Sequence, residues 1–129
     1  MTVARFWRMQ QARYNLKGTH CNSCNEYFYP PRNLCPMCRR TGNVESYKFK
    51  GKGQVVTYTV IHTKTEELIH RTPYILAIVK MDEGPRFTTQ IIEEPENMSI
   101  GMRVKPVFRK LMTDDDKGMI VYGTKFVKD

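Results

Sequence analysis

Long apolar runs are missing from this sequence: the longest, Tyr74–Val79, is six residues, against the about 20 that a membrane-spanning helix needs. The first ten residues carry neither a leader-like apolar stretch nor a small-residue cleavage site, so the expected location is cytoplasmic and off the membrane. Glycine and proline are sparse, eight and seven in 129 residues, and form no repeat. That excludes collagen-like and low-complexity chains. Nucleophiles are few as well. The three serines, Ser23, Ser46 and Ser99, lie in no G-x-S-x-G elbow. Gly51-Lys52-Gly53 is too short for a phosphate loop and reads as a turn into a strand. His62 and His70 have no nucleophile beside them in sequence. No acid–base–nucleophile set emerges, and the chain is expected not to be an enzyme.

What is present is an ordinary globular composition, 40% hydrophobic and 26% charged, enough for one domain or two small modules. The net charge of +8 is uneven. Residues 1–50 hold nine Lys/Arg against two Glu, whereas residues 51–129 hold twelve against eleven acidic residues. A basic first half points to an anionic partner, nucleic acid, phosphorylated cofactor or acidic protein surface, or else to plain solubility.

All four cysteines, Cys21, Cys24, Cys35 and Cys38, fall in one C-x2-C-x10-C-x2-C block. Two such knuckles can present four thiolates to a single tetrahedral ion, which predicts one structural Zn²⁺ per chain, with iron as the other metal of this chemistry. A disulfide framework needs an oxidising compartment, for which no export signal speaks. Committing all four thiols to metal leaves none for acyl transfer. Such knuckles favour a residue tolerant of positive φ after the second cysteine of each pair; here these are Asn25, an acceptable choice, and Arg39, a poorer one. His20 abuts Cys21 and reads as a bystander to a complete set of sulfurs.

Residues 3–13 are good helix formers with Thr2 as a candidate N-cap, followed by a strand-like stretch, Tyr14–Lys17, ended by Gly18. Phe6, Met9 and Arg13 fall at helical spacing beside Trp7. From Lys50 onward the pattern is of short strands: Gln54–Thr63, the buried-looking run Tyr74–Asp82, Arg86–Ile92 with Phe87, Thr89 and Ile91 on one side, Val104–Leu111 and Met119–Val127. Glu93–Ser99 reads as a polar loop, and Thr113–Gly118, with its three aspartates, as a solvated hairpin tip. The fold expected is mainly β: an N-terminal helical segment (1–18), a rubredoxin-like zinc ribbon (19–48) and a five-stranded OB-fold barrel (49–129).

The blocks Ala4–Trp7, Gly18–Cys24, Tyr29–Cys38, Gly51–Val60, Pro73–Val79, Glu83–Arg86 and Ile100–Val104 together resemble the acyl-CoA-associated zinc-ribbon plus OB-fold family, long catalogued as a domain of unknown function. The short archaeal form of that family is a non-catalytic scaffold subunit that joins acetoacetyl-CoA thiolase to hydroxymethylglutaryl-CoA synthase in the early mevalonate pathway of isoprenoid biosynthesis. The resemblance implies the same two partners here, with coenzyme A at a shared site to which no single residue is assigned. It matches Cys21, Cys24, Cys35 and Cys38 to the family's zinc ligands; Asn25 and Arg39 depart from its usual small or turn-forming residues.

Arginines with large aromatics are the composition of a protein interface or of a site for coenzyme A phosphates. Arg5, Phe6, Trp7, Arg8 and Arg32 are therefore the candidate partner-binding set; packing of the helix on its own domain is the competing reading. A rival of another class is single-stranded nucleic-acid binding, which uses aromatics and Lys/Arg on the second and third barrel strands. Those strands offer only Tyr74, Lys80, Arg86 and Phe87.

Overall fold

The computed structural model describes residues 3–63, 73–113, 118 and 120–129. Thr2, His70 and the aspartate triplet of the expected hairpin tip lie outside the described residues. The chain divides into two compact units, Met1–Lys50 with Glu83–Pro85, and Gly51–Asp82 with Arg86–Asp129. Among the described residues no helix is long and apolar enough to cross a membrane.

The first unit opens with two short helices, α1 (Val3–Arg8) and α2 (Gln10–Asn15), in place of the single helix expected over 3–13. Met9, at φ −94° and ψ 8°, interrupts them, and it caps α2 with no side-chain hydrogen bond, so nothing local supports a longer helix. The strand-like reading of Tyr14–Lys17 is corrected too: Tyr14 and Asn15 are helical, and the chain turns at Leu16, left-handed at φ 50° and only 3% exposed. Burial of the leucine holds a conformation that glycine usually takes. Gly18, far from ending a strand, lies inside β1 (Lys17–Cys21), where a Cβ would strike the Phe28 carbonyl and the Phe49 ring.

β1 is the centre of a three-stranded antiparallel sheet. β2 (Tyr27–Phe28) pairs Phe28 with Thr19, and β3 (Val44–Lys48) runs from Lys48 opposite Lys17 to Val44 opposite Cys21. Phe49 is the apolar centre of this unit, 3% exposed, with Tyr47 and Tyr29 edge-on to it at 5.2 and 6.0 Å between ring centroids. The Tyr29 hydroxyl donates to the Ala12 carbonyl at 3.0 Å, tying α2 to the sheet. The Tyr29–Pro30 peptide is cis.

The second unit is a closed five-stranded barrel, as predicted. Its strands are β4 (Gly53–Ile61), β5 (Tyr74–Met81), β6 (Arg86–Ile91), β7 (Arg103–Thr113) and β8 (Ile120–Lys128), ordered β4-β5-β6-β8-β7. Gly51, at φ 88°, turns the chain into β4. The run Tyr74–Val79 is half-buried, not wholly buried: Ile75, Ala77, Val79 and Met81 point inward while Ile78 is 37% exposed. That alternation is what an antiparallel strand with one wet face requires. Val55, Val104 and Phe126 lie in the same interior, none more than 1% exposed. The polar loop after β6 contains a 3₁₀ turn, Pro95–Asn97, and then Met98, a core residue at 7% exposure. Closure is achieved by a parallel contact, Ile91 opposite Phe126, and by Gly53 and Gln54 opposite Val104 and Arg103. Arg103 forks onto Asp82 with bonds of 2.8 and 2.9 Å.

Candidate metal centre

Two chain reversals of the same design bring the cysteines together. In the first, the Asn25 amide donates to the Cys21 carbonyl at 2.8 Å; in the second, the Arg39 amide donates to the Cys35 carbonyl at 2.8 Å. Each donor residue is left-handed, Asn25 at φ 61° and Arg39 at φ 52°. These are the two positions at which the spacing called for a residue tolerant of positive φ. Asn adopts this region several-fold more readily than most residues, whereas Arg does so at a steric cost.

β1 delivers Cys21 at its end, and the second knuckle is held from behind by the stretch leading to β3. The Cys38 carbonyl accepts both the Thr41 amide at 3.1 Å and the Thr41 hydroxyl at 2.6 Å. Gly42 passes so close that a Cβ there would stand 2.9 Å from the Cys38 Cβ. The two knuckles are laced by the Asn22 amide donating to the Asn43 carbonyl at 2.9 Å.

The four sulfurs all lie within 4.8 Å of one another, those of Cys24 and Cys35 at 3.4 Å. A tetrahedral ion with Zn–S bonds of about 2.3 Å needs sulfurs about 3.8 Å apart. The residues present therefore fit one structural Zn²⁺, held by Cys21, Cys24, Cys35 and Cys38. Cys21 and Cys35 are fully buried.

Electrostatics agree with the geometry. The Cys24 amide aims at the Cys21 sulfur and, with that of Ser23, lowers the Cys21 pKa to about 6 against the opposing effect of burial. The Cys38 pKa is pushed up to about 12, first by hydrogen bonding with Cys24 and then by burial. Burial pushes the Cys24 thiol up as well. A dication is what makes four thiolates compatible at this spacing.

His20 stays out of the cluster. Its Nε2–H donates to Asn25 Oδ1 at 2.7 Å, and its ring stacks on Tyr27 with centroids 4.4 Å apart.

The candidate partner-binding residues are distributed over two places in this unit. Arg5, Trp7 and Arg8 lie on α1 and are exposed, Trp7 at 70%. For Trp7, then, core packing is not what the structure shows. Phe6 is in α1, its side chain outside the described residues. Arg32 lies in the loop after β2, its guanidinium carbon 5.5 Å above the Phe28 ring and its amide donating to Thr19 Oγ1 at 3.1 Å. Sequence reasoning passed over Gly42, whose closeness to the cysteines no spacing rule reveals. It also passed over Leu34 and Met37, exposed at 56% and 79% around the second knuckle. The signal for these was available: apolar side chains in a turn that needs none.

Comparison with known proteins places both units. Residues 12–45 match "ChsH2, rubredoxin-like zinc ribbon domain", and residues 46–109 match "ChsH2, C-terminal OB-fold domain". Three archaeal relatives are each described as "DUF35 domain-containing scaffold protein". That of Methanothermobacter thermautotrophicus is 46% identical over 96% of this chain and 94% of its own length. That of Methanocaldococcus jannaschii is 43% identical over 96% and 89%, and that of Pyrococcus furiosus 38% identical over 98% and 92%. A solved chain described as "Ltp2-ChsH2(DUF35) aldolase" superposes with a TM-score of 0.72 at 26% identity, covering 97% of this chain and 92% of that one. With its four-cysteine knuckle pair followed by a closed five-stranded barrel, the chain belongs to the DUF35 family of ChsH2-type zinc-ribbon and OB-fold proteins.

Proposed function

We propose that this chain is a non-catalytic scaffold subunit that docks acetoacetyl-CoA thiolase and hydroxymethylglutaryl-CoA synthase side by side. The observation that carries the reading is its near full-length likeness to archaeal proteins named as scaffolds. The resemblance of its sequence blocks to the short archaeal form supports the choice of the two enzymes. The neighbour whose description pairs ChsH2 with an aldolase supports attachment to an enzyme that makes or breaks carbon–carbon bonds. All four cysteines serve the metal, which leaves the chain no thiol nucleophile.

Scaffolding has a thermodynamic use in this pairing. An unfavourable condensation proceeds when the next enzyme removes its product, and tethering raises the effective concentration of one active site near the other without altering the overall equilibrium. In this reading segment 1–18 and ribbon 19–48 carry the docking residues Arg5, Phe6, Trp7, Arg8 and Arg32, and barrel 49–129 is the body on which the assembly is built.

One purification from the native host tests the proposal. The tagged chain should elute with both enzymes, and a Trp7→Ala bait should lose them while keeping its zinc, since a central aromatic anchor is worth on the order of 2–4 kcal/mol of affinity. Elution of the wild-type bait with neither enzyme rejects the proposal. Retention on single-stranded oligonucleotides instead would favour the nucleic-acid reading.

A further inference from the structure

The two zinc knuckles form an internal comparison. Their backbones are alike: the same reversal, the same amide-to-carbonyl bond of 2.8 Å, the same left-handed residue after the second cysteine. Their side chains are not. The first knuckle presents His20, Asn22 and Ser23, while the second presents Leu34, Pro36 and Met37 at the corresponding places. Since Ser23 satisfies the geometry, nothing in the turn demands the apolar side chain of Met37, which is nevertheless 79% exposed, with Leu34 at 56%. Large apolar side chains left in water forgo their burial, and here two of them fall on one four-residue stretch.

The charge on this stretch of chain is of one sign. Residues 27–43 include Arg32, Arg39 and Arg40 and no Asp or Glu, and all three arginines are exposed. Arg39 also holds its left-handed backbone at φ 52°, where glycine would be relaxed. A strained arginine kept in a position that suits glycine fits a side chain retained for what it meets outside the chain.

We propose that the tip of the second knuckle, Leu34 and Met37 with Arg32, Arg39 and Arg40 on the same loop, is a docking knob for an apolar pocket rimmed by carboxylates on a partner enzyme. Met suits such a contact because its unbranched, polarisable side chain adapts to a pocket, and Arg suits the rim because its fork matches a carboxylate. The inference rests on the scaffold reading and deepens it by naming the surface. A nucleic acid would be met by the arginines but gives Leu34 and Met37 no pocket.

Zinc-loaded full-length chain is titrated against each of the two purified enzymes, with Met37→Asp, Leu34→Asp and, in the first knuckle, Ser23→Asp as variants. Zinc content is measured on every sample. Met37→Asp and Leu34→Asp should each weaken one enzyme at least tenfold with zinc unchanged, Ser23→Asp should stay within twofold, and Met37→Leu should restore binding. Wild-type affinity in both Asp variants, zinc-loaded, overturns the knob and leaves the scaffold reading standing. If the wild type binds neither enzyme, both fall. Loss of self-association or of oligonucleotide retention in Met37→Asp, with enzyme binding unchanged, likewise overturns the knob.

Discussion

Arg39 is the residue at which stability and use diverge most. Its φ of 52° is imposed by the knuckle, since the amide must reach the Cys35 carbonyl. Arg39→Gly relieves the steric cost of the left-handed region and loses some of that gain to the greater freedom of the unfolded chain, for a net of about 0.5–1 kcal/mol in favour of the ribbon. The expected outcome is slower zinc loss to a competing chelator together with weaker partner binding, a trade common at working surfaces. Faster zinc loss would show that the arginine is there for the ribbon. Asn25, the equivalent residue, gains from its side chain as well, which receives the His20 N–H at 2.7 Å. The cysteine spacing alone made this centre legible, down to the two positions needing positive φ. Leu16 was not legible, because its left-handed turn goes with burial and with a carbonyl that accepts the amide of Phe49, distant in sequence, at 3.1 Å, and Gly18, two positions on, carried the stronger local signal of a stop.

At the level of elements, strands with a period of two could be read directly. β5 alternates so cleanly that only its degree of burial was misjudged, as six apolar residues in a row conceal which of them face water. The helical segment resisted reading for the opposite reason: α1 and α2 are six residues each, too short for propensity to decide their ends. β3 escaped because Val44–Lys48 alternates weakly and owes its extension to pairing with β1. The ribbon's buried apolar complement is small, chiefly Leu16, Phe49, Cys21 and Cys35, so the metal supplies much of its stability. Ligation in comparable peptides contributes about 10–16 kcal/mol. Chelation should therefore melt β1–β3, whereas the barrel, with its own core of Val55, Ile75, Val79 and Phe126, should keep its strands. Amide spectra before and after chelator would show it: β1 and β3 signals collapse while those of β5 persist. Simultaneous loss of both sets would mean that the barrel depends on the metal.

Over the whole molecule, the uneven charge acquires a location. The basic excess of the first 50 residues belongs to the unit that carries the helices and the metal, while the barrel unit is near neutral. Docking is thus expected to weaken as salt rises, at rates of association more than of release. The seam of the barrel has a further consequence, one of time. Where β4 and β5 run side by side from Gly53 to Ile61, the described residues give the β6–β8 ladder a single registered pair, Ile91 and Phe126, and the β4–β7 ladder two, at Gly53 and Gln54. Such a closure behaves as a clasp: it can part for an instant without dissolving the hairpins on either side. The Ile92 amide, bonded to the Phe126 carbonyl at 2.8 Å, should exchange its hydrogen with solvent through these partings, and the amides of Leu76–Val79 only when the barrel unfolds entirely. Arg103 and Asp82 are the exposed pin of the clasp, worth at most about 1 kcal/mol. Arg103→Ala, on the β4–β7 side of the closure, should speed exchange at the Val55 amide, which donates to the Met102 carbonyl at 3.0 Å, while leaving Ile92 and the slow amides of β5 nearly as they were.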